Sequence, residues 1–149
     1  MTFRILLLLV IVFGAGCSKG PRNIRYGADG CHYCKMTIVD TQYGAEVVTS
    51  KGKVYVFDSI ECMAAYEIKE RPEAQAIFGK YVITLESEGK DLIHISEASI
   101  IITEKLPSPM GLNISAVKDQ KTARDIALMY YGEIKSWPEI INHVRSNWF

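Results

Sequence analysis

Ala45-Glu46-Val47-Val48-Thr49-Ser50-Lys51-Gly52-Lys53-Val54-Tyr55-Val56-Phe57-Asp58-Ser59-Ile60-Glu61 is the stretch that decides the fold. Ala45 to Thr49 and Val54 to Phe57 are strand-forming runs on either side of the polar turn Ser50 to Lys53, which predicts a hairpin. Asp58 stands three residues before Glu61, an N-cap pattern, so the return strand runs straight into a helix. Ile60, Met63, Ala64 and Ile68 follow at helical spacing and give that helix an apolar face. It ends before Pro72, and a short helical piece is expected from Glu73 to Phe78.

Toward the C-terminus the same outline recurs. Tyr81 to Leu85, Leu92 to Ile95, Ile100 to Ile102 and Leu112 to Val117 read as strands, and Leu106 to Gly111 is a loop punctuated by Pro107 and Pro109. Asp119 can cap a helix through Tyr131, with Ala123, Ile126, Ala127 and Tyr130 as its stripe and Gly132 as its breaker. Ser136-Trp137-Pro138-Glu139 is a capping box for a closing helix whose apolar face is Trp137, Ile140, Ile141, Val144 and Trp148. Val56-Phe57-Asp58 before the first helix corresponds to Ala116-Val117-Lys118-Asp119 before the second. The chain therefore reads as α+β, in two small units over residues 27–80 and 81–149, the second including the C-terminal helix. Units this small bury little core alone, so they are expected to pack together or to lean on a metal.

Composition narrows the function. The 149 residues carry 17 basic and 17 acidic side chains, a formal charge of zero. No basic run and no aromatic-basic interleaving occurs, which argues against a nucleic-acid partner. At the N-terminus one positive charge precedes nine unbroken apolar residues, Ile5 to Phe13. Nine residues span about 14 Å as a helix, too short for a bilayer core, so residues 1–16 are expected to be a secretory signal. Gly14-Ala15-Gly16-Cys17 resembles the lipobox of bacterial lipoproteins. Acylated Cys17 and a flexible tether over residues 17–26 would anchor the chain at a membrane surface, facing the periplasm.

Beyond the tether lies Cys31-His32-Tyr33-Cys34-Lys35-Met36. Soft sulfur donors this close suit a soft ion, Cu(I) above all. If the segment is extended, Cys34 and Met36 point to one face, with Cα atoms about 6.5 Å apart. His32 could add a nitrogen donor. With Cys17 given to lipid, Cys31, Cys34 and Cys62 remain, an odd number that no pure disulfide framework accommodates. Cys31 is open to three readings: a third ligand, a thiol that forms a disulfide with Cys34 when metal is absent, or a redox sensor. Cys62 lies about 100° round its helix from Met63, off the apolar stripe, where it could approach the cluster. Met110, held between Pro109 and Gly111, is claimed by no helical stripe and is a candidate donor, whereas Met63 and Met129 are expected in the core. His94 and His143 receive no functional role. No Ser-His-Asp set, phosphate loop or spaced carboxylate pair emerges, so no catalytic residue is expected.

Four ordered stretches carry a resemblance: Cys31 to Met36 followed by Asp40; Val54 to Asp58 with Met63 and Tyr66; Ile95-Ser96-Glu97-Ala98; and Ser108-Pro109-Met110-Gly111. Together, from about residue 27 to 131, they are similar to the NosL family of copper-binding lipoproteins that accompany nitrous oxide reductase. The resemblance implies a tandem pair of small ββαβ-type units, antiparallel strands with packed amphipathic helices, distantly like organomercurial lyase. It implies Cu(I) as cargo and Cys34 with Met36 as the copper pair. It also implies an upstream copper donor and a periplasmic copper enzyme, nitrous oxide reductase, as acceptor. Lys35 stands where the family usually has Gly, a residue that permits positive φ; its ammonium is expected to favour the Cys34 thiolate.

Two other functions compete. One is a structural zinc site, with Cys31, Cys34 and Cys62 joined by His94 or His32. The other is a thiol–disulfide module using Cys31 and Cys34, against which stands the lack of a strand before Cys31 and of a helix signal at Cys34.

Overall fold

The computed structural model describes residues 19–149, so the expected signal segment and Cys17 lie outside the described residues. Seven strands and three helices follow one another, with α+β character and two antiparallel sheets. The first sheet holds β1 (Ala45–Thr49), β2 (Val54–Phe57), β3 (Ile77–Ile83) and β4 (Leu92–His94) in the order β2-β1-β3-β4. The second holds β5 (Ser99–Ile102), β6 (Ile114–Val117) and β7 (Glu133–Lys135) in the order β6-β5-β7. Helix α1 (Ile60–Glu70) lies between β2 and β3 in sequence, α2 (Gln120–Tyr130) between β6 and β7, and α3 (Trp137–Trp148) closes the chain. Strand β3 crosses residues 80 and 81, where the sequence places the junction between its two units.

Several expectations hold, and the misses have local causes. The hairpin pairs Ala45 with Phe57 and Val48 with Val54, closed by a turn in which Gly52 takes φ +82°. Ser59, not Asp58, caps α1, its side chain accepting from Cys62 N, which leaves the Asp58 carboxylate free for other duty. The helical piece expected at Glu73 to Phe78 is one 3-10 turn, Ala74–Ala76, and Ile77 already belongs to β3, which pairs with the hairpin along β1. β7 escaped the sequence reading because Glu133-Ile134-Lys135 is short and carries one apolar residue; pairing with β5 supplies what local propensity does not. Gly132 sits where a Cβ would stand 3.0 Å from the Ile102 carbonyl, so a side chain there would crowd the passage from α2 into β7.

Helix α1 is the centre of the packing. Its residues from Ile60 to Tyr66 are all buried, because it touches β1, β2, β6 and α3. The expected stripe is thus only part of what is covered. One core runs through both sheets, with Val47, Phe57 and Met63 meeting Ile114, Ile140 and Val144. Ile100 and Ile101 are neighbours on β5 and point to opposite faces; Ile100 joins the main core, while Ile101, Val117 and Ala123 form a second one under α2. Met129, expected in the core, is 67% exposed, since it lies off the face of α2 on which Ala123, Ile126 and Ala127 are covered. No helix among the described residues is long and apolar enough to cross a membrane.

Before β1 the chain is stapled down. Asp29 is 5% exposed and accepts from Arg22 and Arg25 at 2.6 and 2.8 Å. Those guanidinium groups, Arg22 first, hold its carboxyl well below the usual carboxylate range against the cost of burial. The Arg22 N–H also donates to Glu46 Oε2 at 3.0 Å, while Glu46 Oε1 is buried and unpaired. Burial raises the Glu46 pKa from its usual 4.5 to about 7. The folded chain therefore holds this proton more tightly than the unfolded chain, and stability falls as pH rises from 4.5 to about 7. Denaturant unfolding of Glu46→Gln is expected to lose that pH slope and to leave the variant more stable than the parent above pH 7, by on the order of 3 kcal/mol at most.

Candidate metal centre

Cys31 to Met36 form a tight loop rather than an extended segment. Gly30 bridges Thr37, the Cys31 N–H donates to Met36 O at 2.8 Å, and the Lys35 N–H donates to Cys31 O at 3.1 Å. Lys35 takes φ +68°, the left-handed conformation for which glycine is the natural residue. A non-glycine residue there costs on the order of 1 kcal/mol. The Lys35 ammonium donates to the His32 carbonyl and so closes the loop on itself. The His32 N–H donates to Val56 O at 2.7 Å, fastening the loop to the free edge of β2. The Cys34–Met36 pair is thus presented by a turn, and the shared face expected of an extended segment does not arise.

Four side chains converge at this loop. The Sγ atoms of Cys31, Cys34 and Cys62 and a carboxylate oxygen of Asp58 all lie within 4.8 Å of one another. Cys31 and Cys62 are 1% and 0% exposed, Asp58 is 5% exposed, and Cys34 is half-buried. All three cysteines are free thiols, so the Cys31–Cys34 disulfide is absent. The Cys34 thiol donates to Asp58 Oδ2 at 3.3 Å, and Asp58 Oδ1 is buried with no hydrogen-bond partner. The cluster combines two sources: a loop before the first strand, and the β2–α1 junction, where the cap at Ser59 fixes the phase of Cys62.

Charge is distributed unequally over the thiols. The neighbouring Cys62 thiol, with help from the backbone N–H groups of Asp58 and Cys34, lowers the Cys31 pKa to about 6 against the opposing effect of burial. Burial, followed by the neighbouring Cys31, pushes Cys34 up to about 11. Donation to Cys31, then burial, raises Cys62 as well. The surroundings therefore favour ionisation of Cys31 over that of Cys34 and Cys62. The expectation that Lys35 favours a Cys34 thiolate is corrected, since its ammonium is spent on the His32 carbonyl.

The other candidates are placed as follows. Met36 is 62% exposed at the rim, two residues from Cys34. Met110 is half-buried and packs against the main core. Its loop is pinned to α1, because Ser108 Oγ donates to the buried Glu61 carboxylate and accepts from the Asn113 N–H at 2.9 Å. His32 is not among the converging donors; its ring lies 4.4 Å from Tyr55 and 5.6 Å from Tyr66, centre to centre, in an aromatic setting whose burial lowers its pKa. His94 accepts from Ser96 and is outside the cluster too, so neither histidine completes a Cys₃His set. Met63 is fully buried, as expected. Asp58 is the member that sequence reading missed, because its place before a helix was explained as a cap. The available signal was Ser59, an equally good cap one residue later.

Thiolate ultraviolet absorbance of the reduced, metal-free protein is expected to titrate with a midpoint near 6. Cys31→Ser should remove that step, and Cys62→Ala, which deletes the donor, should move it up toward an ordinary thiol value.

Comparison with known proteins agrees with this arrangement of elements. Among solved structures the chain is similar to the crystal structure of the copper chaperone NosL from Shewanella denitrificans, with a TM-score of 0.69 and 20% identity, over 81% of this chain and 95% of that one. No curated protein matches the chain. The family model of NosL matches residues 25–144, most of the chain, and the protein accordingly belongs to the NosL family.

Proposed function

We propose that the protein is a Cu(I) carrier, not an enzyme, that takes up one cuprous ion at the Cys31–Cys34–Cys62 cluster and passes it to a copper enzyme. The observation that carries this reading is the convergence of three free thiols, two of them buried, behind a half-exposed Cys34. Thiolates select Cu(I) over harder ions, and Cys31, the thiol whose surroundings most favour ionisation, gives an incoming cation its first partner. Cys34 is the way in and out: a site open on one side lets a second protein's ligand reach the ion, which ligand exchange requires. Exposed Met36, two residues away, offers a thioether at the rim for the first and last contact. Met110, on the loop pinned to Glu61, is a further donor from the second sheet's side of the molecule.

The remaining parts of the reading follow from family membership and the N-terminal sequence. We infer a periplasm-facing lipoprotein anchored through Cys17, an upstream copper donor, and nitrous oxide reductase as acceptor. The strand–strand–helix–strand runs of the two sheets are read as the tandem ββαβ units, with β4 an added edge strand.

Anaerobic titration of the reduced protein with Cu(I), against a chromophoric chelator, should give one ion per chain. Cys34→Ser and Cys31→Ser should each weaken binding by at least tenfold, whereas Met36→Ala should mainly slow release to the chelator. Unchanged affinity in Cys34→Ser would sink the assignment. Mixing the loaded protein with copper-free nitrous oxide reductase should move copper to the enzyme; retention on the carrier would remove that acceptor.

A further inference from the structure

One member of the cluster differs in kind from the rest. Asp58 contributes oxygen among sulfurs, and the fold leaves it in an exposed energetic position though it is sterically buried. Its Oδ2 accepts from Cys34, but Oδ1 has no hydrogen-bond partner. A buried carboxylate oxygen without a partner is destabilising, and the usual remedy is a cation. None of the ion pairs among the described residues includes Asp58. The nearest ammonium along the loop, that of Lys35, is bound to a carbonyl. A carboxylate just before α1 gains from the helix dipole. That accounts for a charge at this place, but not for one oxygen held on a thiol and the other on nothing.

Ligand chemistry says what the oxygen adds. Cu(I) is satisfied by sulfur, and a hard fourth donor contributes little to it. A borderline divalent ion such as Zn(II) takes four donors in a tetrahedron, and carboxylate oxygen is an accepted one beside thiolate. Bonds of about 2.3 Å to sulfur and about 2.0 Å to oxygen give tetrahedral edges of roughly 3.8 Å between sulfurs and roughly 3.5 Å between sulfur and oxygen. The Cys34–Asp58 separation is 3.3 Å, and no pair in the cluster exceeds 4.8 Å. The Cys34–Asp58 pair already stands close to the sulfur–oxygen edge of such a site, and the remaining donors need to draw in by no more than about 1 Å to reach theirs.

We propose that Asp58 determines the metal selectivity of the cluster, extending it from Cu(I), held by sulfur alone, to tetrahedral divalent ions of the zinc type, held by Cys31, Cys34, Cys62 and Asp58 together. The proposal rests on the reading of the cluster as a metal site but concerns a different ion and a different donor. It replaces histidine by Asp58 as the fourth ligand of a zinc-type site.

The test uses reduced protein, Co(II) as the spectroscopic probe, and Zn(II) and Cu(I) affinities measured separately by chelator competition. The wild type should bind one Co(II) with thiolate charge-transfer bands and the ligand-field bands of a tetrahedral site. Asp58→Asn should shift those bands and weaken Zn(II) by at least the tenfold typical of losing even an outer-shell partner, while Cu(I) affinity stays within about threefold. Asp58→Glu, which keeps the carboxylate, should recover part of the Zn(II) affinity and carries the comparison if the asparagine variant fails to fold by circular dichroism. Unchanged Zn(II) affinity in Asp58→Asn, equal losses for Zn(II) and Cu(I), or a wild type without tetrahedral Co(II) bands would each overturn the proposal. A chain that binds Co(II) through Asp58 but no Cu(I) would instead remove the carrier reading and keep Asp58 as a ligand.

Discussion

The bond from the Cys62 N–H to Ser59 Oγ is the constraint on which the site and much of the packing depend. It fixes where α1 starts, and a helix start fixes the direction of every side chain that follows. With the cap at Ser59, Met63 faces the main core, Glu61 faces the loop at Ser108, and Cys62 faces Cys31 and Cys34. Asp58, one step outside the helix, is not used as the cap, and its Oδ2 is left to accept from Cys34. A start one residue earlier would consume the Asp58 side chain as a cap and turn Cys62 away from Cys31.

Two further devices hold the other half of the site in place. The Asp29 ion pairs secure the chain before the loop, and backbone bonds from Gly27 and Ile38 carry that anchoring to the loop's base. The loop then leans on the unpaired edge of β2 through the His32 N–H. This also answers the problem of an open sheet edge, since part of β2 is covered by the metal loop itself. Inside the loop, a lysine in the left-handed conformation shows that tertiary bonds override a local preference for glycine when enough of them converge.

The sequence made the hairpin, the capped helices and the split of sulfur between loop and helix legible, because these follow from short-range patterns: strand-forming runs around a turn, capping residues, and 3.6-residue periodicity. It concealed what depends on distant partners. β7 has no strand signal without β5 beside it, and the exposure of Met129 depends on which face of α2 the second sheet covers. Cys62 could be placed off the apolar stripe but not against Cys31, since about thirty residues, the hairpin among them, intervene and their closure is a property of the whole sheet. Asp58 was hidden by a sufficient local explanation. His32 shows the converse: sequence proximity to two cysteines suggested a ligand, and the aromatic rings of Tyr55 and Tyr66 claim it instead.

The convergence of Cys31 with Cys62 also has a thermodynamic side. In an unfolded chain these thiols are far apart on average, and they come within bonding distance only after β1, β2 and α1 have assembled. An ion that needs both sees the native state and not the unfolded one, and so adds RT ln(1 + [L]/Kd) to the free energy of unfolding. At a free ion concentration one hundred times the dissociation constant this is about 2.7 kcal/mol, a substantial fraction of the stability of a small domain. Under the carrier reading proposed above, loading and folding are linked equilibria: the loaded form is the more robust molecule, and giving up the ion returns it to a state that opens more readily.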